Sequence, residues 1–275
     1  MDFSPLVFWK TSHLLITEKK YVKIAPALGL FFIASKSHIN FIGGTFMDYY
    51  KELFIDFLTD SKALKLSNPA DPEGLFTLRS GRRSPFFMNM GDLNDGNQLI
   101  NVGTAYAEAV HEHFKNDFDV IFGPAYKGIP LAVSATMQFN QLFHETKRFC
   151  TNRKEIKDHG DVGGFLGAKL KDGDRIVIVE DVTTTGGSID EVLPIIKAAA
   201  NVEVVGLIVS LDRMEVASEG SDKTALESLT EKYGFKAKAI ITMSEVLEHK
   251  KLSADTKAAF SKYYEQYGVP GRKVI

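Results

Sequence analysis

The chain is short of cysteine, of net charge and of long apolar runs. One cysteine, Cys150, stands among 275 residues, so an intrachain disulfide is excluded and a thiolate zinc site has no second sulfur. The formal net charge is only -2, which gives a polyanion no bulk attraction and leaves nucleic-acid binding to local clusters. The nearest thing to a membrane span, residues 24–34, has 11 residues, about half the length required. Residues 1–46 contain no arginine and no signal-peptide cleavage pattern, unlike a transit or secretory leader. The GK[ST] ending of a phosphate loop is missing as well, against a nucleoside triphosphatase. No internal repeat or low-complexity tract is present. What remains, 44% hydrophobic and 25% charged residues, suits one large α/β domain, or a domain with an added subdomain, in a reducing cytoplasm.

Apolar positions in 48–66 fall largely three and four apart and predict an amphipathic helix, stopped by the Pro- and Gly-containing stretch at 68–74. LFTL and PFFMNM predict short strands around a polar turn at 79–84, and 94–114 predicts a long helix. Beyond 116 the pattern alternates. Strands are expected at 120–122, about 148–151, 176–180 and 204–211, with helices at about 128–138 and from Ser188. A final helix over 253–267 ends at Gly268 and Pro270. Alternating strands and helices imply a central parallel sheet flanked by helices, with ligands beyond the carboxyl ends of the strands.

Residues 176–188, IVIVEDVTTTGGS, carry the most chemistry. A β-branched run suits a strand buried on both faces. It ends in two adjacent acids, Glu180 and Asp181, and then a turn rich in hydroxyls and N–H donors at the start of a helix. Acids that accept from ribose hydroxyls and a donor-lined helix N-terminus that holds a phosphate describe a sugar-phosphate site. GPAYKG at 123–128 alone reads as an ordinary strand-to-helix turn; beside the acid pair, its glycines and Lys127 suit pyrophosphate. Arg153, Lys154, Lys157 and His159 precede Gly160, Gly163 and Gly164, a composition expected of a closing lid that brings cations to a departing anion.

These motifs, with TLRSGRRSPFFMN at 77–89 and NRKEIKDHG at 152–160, resemble in order and spacing those of the orotate phosphoribosyltransferases, a family of type I phosphoribosyltransferases. The resemblance runs from about Met47 to the C-terminus. It implies the type I fold with a hood built from N- and C-terminal segments: hood mainly 47–115 and 236–275, core about 116–235. Residues 1–46 fall outside it and are read as an extension upstream of a natural start at Met47. The implied reaction joins orotate to phosphoribosyl pyrophosphate (PRPP), with magnesium carried mainly by PRPP and no protein metal site. By the same resemblance, Arg79, Tyr126, Lys127, Glu180, Asp181, Val182, Thr183, Thr184, Thr185, Gly186, Gly187 and Ser188 bind PRPP, with Thr183 open to a structural role. Phe87, Met88, Thr184 and Arg213 meet orotate. Lys157, Asp181, Arg153, Lys154 and His159 are the implied catalytic set, the loop being shared across a homodimer. Arg79 and Met88 depart from the lysine and the aromatic usual at their positions, which puts phosphate placement at the first and ring stacking at the second in question.

Two other readings use the same acid-pair motif: a phosphoribosyltransferase for a purine or other base, and a regulator that senses PRPP while binding RNA or DNA. Arg213 and SGRRSPFF count against the first. The slightly acidic balance and the lack of a helix-turn-helix pattern count against the second. No nucleic-acid or membrane partner is expected, and too few residues follow the last helix for a fused decarboxylase.

Overall fold

Four consecutive side chains, Ile176, Val177, Ile178 and Val179, are completely buried in the computed structural model, which describes residues 46–67, 74–78, 81–154 and 164–275. Val177 and Val179 join one apolar cluster, while Ile176 and Ile178 join another on the opposite face. A strand covered on both sides needs no polar alternation, and this explains the unbroken β-branched run. Each such side chain contributes about 1.5–3 kcal/mol on burial, or roughly 6–12 kcal/mol for the four.

In chain order the elements are α1 (Phe46–Asp60), β1 (Leu64–Leu66), β2 (Phe76–Thr77), β3 (Arg83–Ser84), β4 (Phe86–Met88), α2 (Gly96–Phe114), β5 (Val120–Phe122), α3 (Gly128–Phe143), β6 (Arg148–Asn152), β7 (Phe165–Gly167), β8 (Arg175–Glu180), α4 (Gly187–Ala199), β9 (Glu203–Asp212), α5 (Ala225–Tyr233), β10 (Lys236–Thr242), α6 (Met243–His249) and α7 (Ala254–Tyr267). A six-stranded sheet has the order β10-β9-β8-β5-β6-β7. Every neighbouring pair is parallel except β6 and β7. Helices α2 and α3 supply one face through Tyr106, Val110, Leu131 and Phe139, and α4 and α5 supply the other through Ile189, Val192, Leu226 and Leu229.

The N- and C-terminal segments pack on one another beside the sheet. Phe86 of β4 stacks on Phe260 of α7 at 5.9 Å. Lys51 of α1 meets Glu245 of α6 at 3.0 Å. Two expectations need correction. The first helix ends at Asp60, short of 66, because Lys62 takes a φ of +60° that turns the chain back; Leu64 then pairs with Met88 in a two-stranded ribbon. The hood boundary expected at 236 falls inside the sheet, since 236–242 is its edge strand β10. Residues 1–45 of the expected extension lie outside the described residues.

Helix capping divides the molecule. Helices α2, α5, α6 and α7 begin with Asp95, Thr224, Thr242 and Ser253, whose side chains accept from their own first turns. Helices α3 and α4 have no side-chain cap. They start at the carboxyl ends of the adjacent strands β5 and β8, on the same edge of the sheet. The first N–H groups of α3, on Gly128 and Ile129, donate to the Pro124 and Tyr126 carbonyls and Pro130 has none, whereas Gly187 and Ser188 at the start of α4 have no such carbonyl partner among the described residues. Among the described residues no helix is long and apolar enough to cross a membrane.

The turn from β5 into α3 depends on glycine. A Cβ on Gly123 would lie 1.9 Å from the Gly128 carbonyl oxygen, a backbone atom that cannot swing aside. Gly123→Ala is expected to lower stability by about 2 kcal/mol or more, in the range of overpacked interiors, measured by urea denaturation. A midpoint equal to wild type would show that the turn is not tightly packed.

Candidate active site

The carboxyl ends of β5 and β8 bring together the segments that carry the sequence motifs. Glu180 and Asp181 are both buried, at 6% and 7% exposure. Glu180 accepts from the Asp181 N–H at 3.0 Å, and Asp181 accepts from the Val182 N–H at 2.7 Å. Burial first, and then the negative charge of Asp181, push the Glu180 carboxyl up to about 7. A cost of a few kcal/mol follows for ionising it there, which the buried run of β8 outweighs.

Neighbouring elements fix the backbone beneath the acids. The Tyr106 hydroxyl on α2 donates to the Glu180 carbonyl at 2.6 Å. Ser210 on β9 gives its N–H, at 2.9 Å, and its hydroxyl to the Asp181 carbonyl. With both carbonyls held, the carboxylates have a defined direction.

The turn after the acids is left open. Thr183 accepts from the Gly186 N–H at 2.9 Å and so closes the bend itself. Thr184, Thr185 and Gly187 are exposed, and Ser188 is half-buried at the head of α4. Gly186 has a φ of +84°, a backbone angle that favours glycine, and an added Cβ would also press on the Leu229 side chain at 2.7 Å. The result is a hydroxyl-lined loop at a helix N-terminus without a side-chain cap, an arrangement chemically able to hold an anion.

On the β5 side, the Lys127 ammonium lies 3.0 Å from Asp181 and 3.3 Å from the Asn89 side-chain oxygen. Asn89 in turn accepts from the Gly91 N–H and donates to Asp92 at 2.8 Å. One lysine therefore links the segment after β4, the GPAYKG turn and the acid pair. Asn152 at the end of β6 accepts from the Ala125 N–H at 2.9 Å and braces the same turn. Tyr126 is 65% exposed, with the Lys154 ammonium 5.6 Å above its ring. The Arg153 N–H and Nε hold the Gly164 and Phe165 carbonyls at 2.7 and 3.2 Å. Together with the β6–β7 ladder, they fasten both ends of the Arg- and Lys-rich segment.

Phe87 and Met88 do not share a face. Alternation along β4 leaves Phe87 half-buried, 5.9 Å from the Phe76 ring, while Met88 is buried with its sulfur 3.7 Å from the Ser210 hydroxyl. Of the two neighbours expected to meet orotate, only Phe87 therefore keeps a partly exposed side chain. Arg213 is buried in a pair with Glu215. Arg79, Lys157 and His159 lie outside the described residues. Sequence reasoning assigned no role to Asn89, Tyr106, Asn152, Ser210 or Glu215. Asn89 and Asn152 stand inside the motifs PFFMNM and NRKEIKDHG, and Ser210 and Glu215 lie three and two residues from Arg213, whereas Tyr106 gives no local signal.

A family model described as the phosphoribosyl transferase domain matches residues 89–239. An orotate phosphoribosyltransferase from Agathobacter rectalis is 52% identical over 232 residues, covering 81% of this chain and 99% of that protein. One from Clostridium acetobutylicum is 47% identical over 232 residues, covering 81% and 100%. Among solved structures, the orotate phosphoribosyltransferase of Francisella tularensis superposes with a TM-score of 0.67 at 29% identity, over 78% of this chain and 99% of that one. The UMP synthase of Leishmania donovani gives 0.60 at 25% identity, over 78% of this chain and 42% of its own.

The raised Glu180 carboxyl has a consequence for stability. A free glutamate titrates near 4.3, so the favourable protonated form is fully present below that pH and is lost as pH rises through about 7, where only the folded state resists ionisation. Glu180→Gln is expected to gain on wild type in thermal melts as pH goes from about 5 to 8, by on the order of 2–3 kcal/mol. A difference that does not change with pH would show that the acid is not strained.

Proposed function

This chain belongs to the orotate phosphoribosyltransferase family, and we propose that residues 180–188 are where it grips PRPP. The enzyme transfers the 5-phosphoribosyl group from PRPP to orotate, giving orotidine 5-monophosphate and pyrophosphate in UMP biosynthesis. It has the type I phosphoribosyltransferase fold. The observation that carries the assignment is the buried acid pair set between the uncapped start of α4 on one side and the Lys127 ammonium, 3.0 Å from Asp181, on the other. PRPP is anionic at both ends with a diol between, and the donors at the start of α4, the two acids and the Lys127 cation suit it in that order.

In this reading Thr184, Thr185, Gly186, Gly187 and Ser188 cradle the 5-phosphate, with Val182 and Thr183 shaping the bend. Glu180 and Asp181 accept from the ribose hydroxyls, while Tyr126, Lys127 and Arg79 take the pyrophosphate. Asp181 exchanges its contact with Lys127 for the sugar. The bond from the anomeric carbon to pyrophosphate breaks ahead of formation of the bond to the orotate nitrogen, with inversion. Positive charge gathers on the ribose ring, and the adjacent carboxylates supply fixed negative potential there. Magnesium would come with PRPP; Glu180 and Asp181, the first strained by burial and by the other's charge, are hard oxygen donors that would suit its hydrated shell, and the ion would neutralise phosphate oxygens.

Lys157 and His159, with Lys154 and Arg153 at the loop's foot, draw off the pyrophosphate. The contacts of Arg153 with the Gly164 and Phe165 carbonyls support an anchoring share for it. The loop serves the partner subunit of a homodimer, and the compartment is the cytoplasm. Phe87, Thr184 and the backbone at Met88 receive the orotate ring, and Arg213 faces its carboxylate by charge-assisted hydrogen bonds.

Steady-state pyrophosphate release measured with orotate, uracil, hypoxanthine and adenine tests the substrate assignment; turnover is expected with orotate, and faster turnover of a purine would overturn it. Lys157→Ala should cut kcat by about 100-fold or more with an unchanged melting temperature, a loss typical of a leaving-group cation. Asp181→Asn should raise the KM for PRPP about tenfold, the worth of a charged hydrogen bond, as well as lower kcat. Unaltered PRPP affinity would remove the ribose from the acid pair.

A further inference from the structure

We propose that Glu215 is a positioning residue for base recognition, fixing the Arg213 guanidinium so that its free edge meets the carboxylate of a carboxylated pyrimidine. This rests on the reading of Arg213 given under the proposed function. Glu215 is 7% exposed and Arg213 6%. One carboxylate oxygen of Glu215 accepts from Arg213 Nε at 3.0 Å and from Nη2 at 2.6 Å. A planar fork held by two of its three nitrogens has its remaining in-plane edge fixed in direction.

The rest of the surroundings remove the other freedoms of that side chain. The Phe86 ring lies 4.3 Å from the guanidinium carbon and covers one face. The Tyr264 hydroxyl donates to the Arg213 carbonyl at 2.8 Å and holds the backbone. Glu215 is itself held from two other parts of the chain: the Tyr263 hydroxyl donates to the same oxygen at 2.8 Å, and Arg82 Nη1 donates to the other at 3.2 Å. Arg82 belongs to the SGRRS segment, its guanidinium 4.7 Å over the Tyr267 ring. Four donors from β9's end, α7 and the turn before β3 thus converge on one carboxylate.

Such a hub is a poor device for stability alone. A buried ion pair is often no better than well-packed apolar residues of the same volume. It is a good device for orientation, because every partner constrains the plane of the arginine. Burial works against the charge on Arg213, and the Glu215 carboxylate outweighs it, so the guanidinium is held above its ordinary value and stays a cation. A fixed cationic edge discriminates a base with a carboxylate from the same ring without one.

The test is a kinetic split. Glu215→Gln keeps the shape and one acceptor oxygen but removes the charge, and Arg213→Ala is measured beside it. The expected result for Glu215→Gln is an orotate KM raised at least fivefold with the PRPP KM within twofold of wild type. A purely structural role would instead shrink the folded fraction, lowering apparent kcat while leaving both KM values alone, and that outcome overturns the inference. If Arg213→Ala raises the orotate KM and Glu215→Gln does not, positioning fails while the base assignment stands. If Arg213→Ala itself leaves the orotate KM unchanged, the base assignment fails and the inference with it. Should Glu215→Gln not fold, Tyr263→Phe removes one donor from the hub and is expected to raise the orotate KM in the same direction, with no change contradicting the proposal.

Discussion

Two carboxylates on adjacent residues, both withdrawn from water at the end of a buried strand, are the constraint around which this molecule is arranged. Their mutual repulsion and desolvation disfavour the double charge, as the raised Glu180 carboxyl records. The apolar run of β8, flanked by clusters on both faces, holds the strand in place against that cost. Tyr106 and Ser210 then fix the two carbonyls, so neither acid can relax by turning its backbone. An arrangement of this kind is poised for a cationic or proton-donating ligand rather than settled by itself.

The same economy appears at the helix ends. At α2, α5, α6 and α7 an Asp, Ser or Thr closes the first turn. At α3 and α4 that closure is missing, and glycines at 123, 128 and 186 bring backbone close to backbone or take a conformation other residues resist. At the start of α4, donors that a side-chain cap would consume stay directed at the carboxyl edge of the sheet. Catalysis by fixed charges needs this preorganisation, since nothing has to reorient as charge develops on the sugar.

Much of this was legible in the sequence, for physical reasons. The β-branched run of β8 and the glycines beside it are local signals, and the parallel sheet follows from alternation. Strand β10 was not read, because KAKAIIT begins with alternating lysines and only pairing with β9 makes it a strand. Leu64 fell at helical spacing from Phe57 and its neighbours, yet the reversal at Lys62 put it in a ribbon. Met88 was counted with Phe87 by family resemblance, whereas a strand's period of two sends neighbours to opposite faces. Tyr106, Asn152 and Ser210 act on residues 27 to 74 positions away, and no spacing rule reaches that far. Glu215 lay two residues from Arg213, but its role emerges only when α7 and Arg82 close around it.

The most direct test of the central claim is a crystal structure of the protein with PRPP and magnesium. The account predicts ribose hydroxyls within hydrogen-bond distance of Glu180 and Asp181, the 5-phosphate on the N–H groups at the start of α4, and Lys127 moved from Asp181 to the pyrophosphate. Sugar bound elsewhere, with the contact between Lys127 and Asp181 intact, would contradict it.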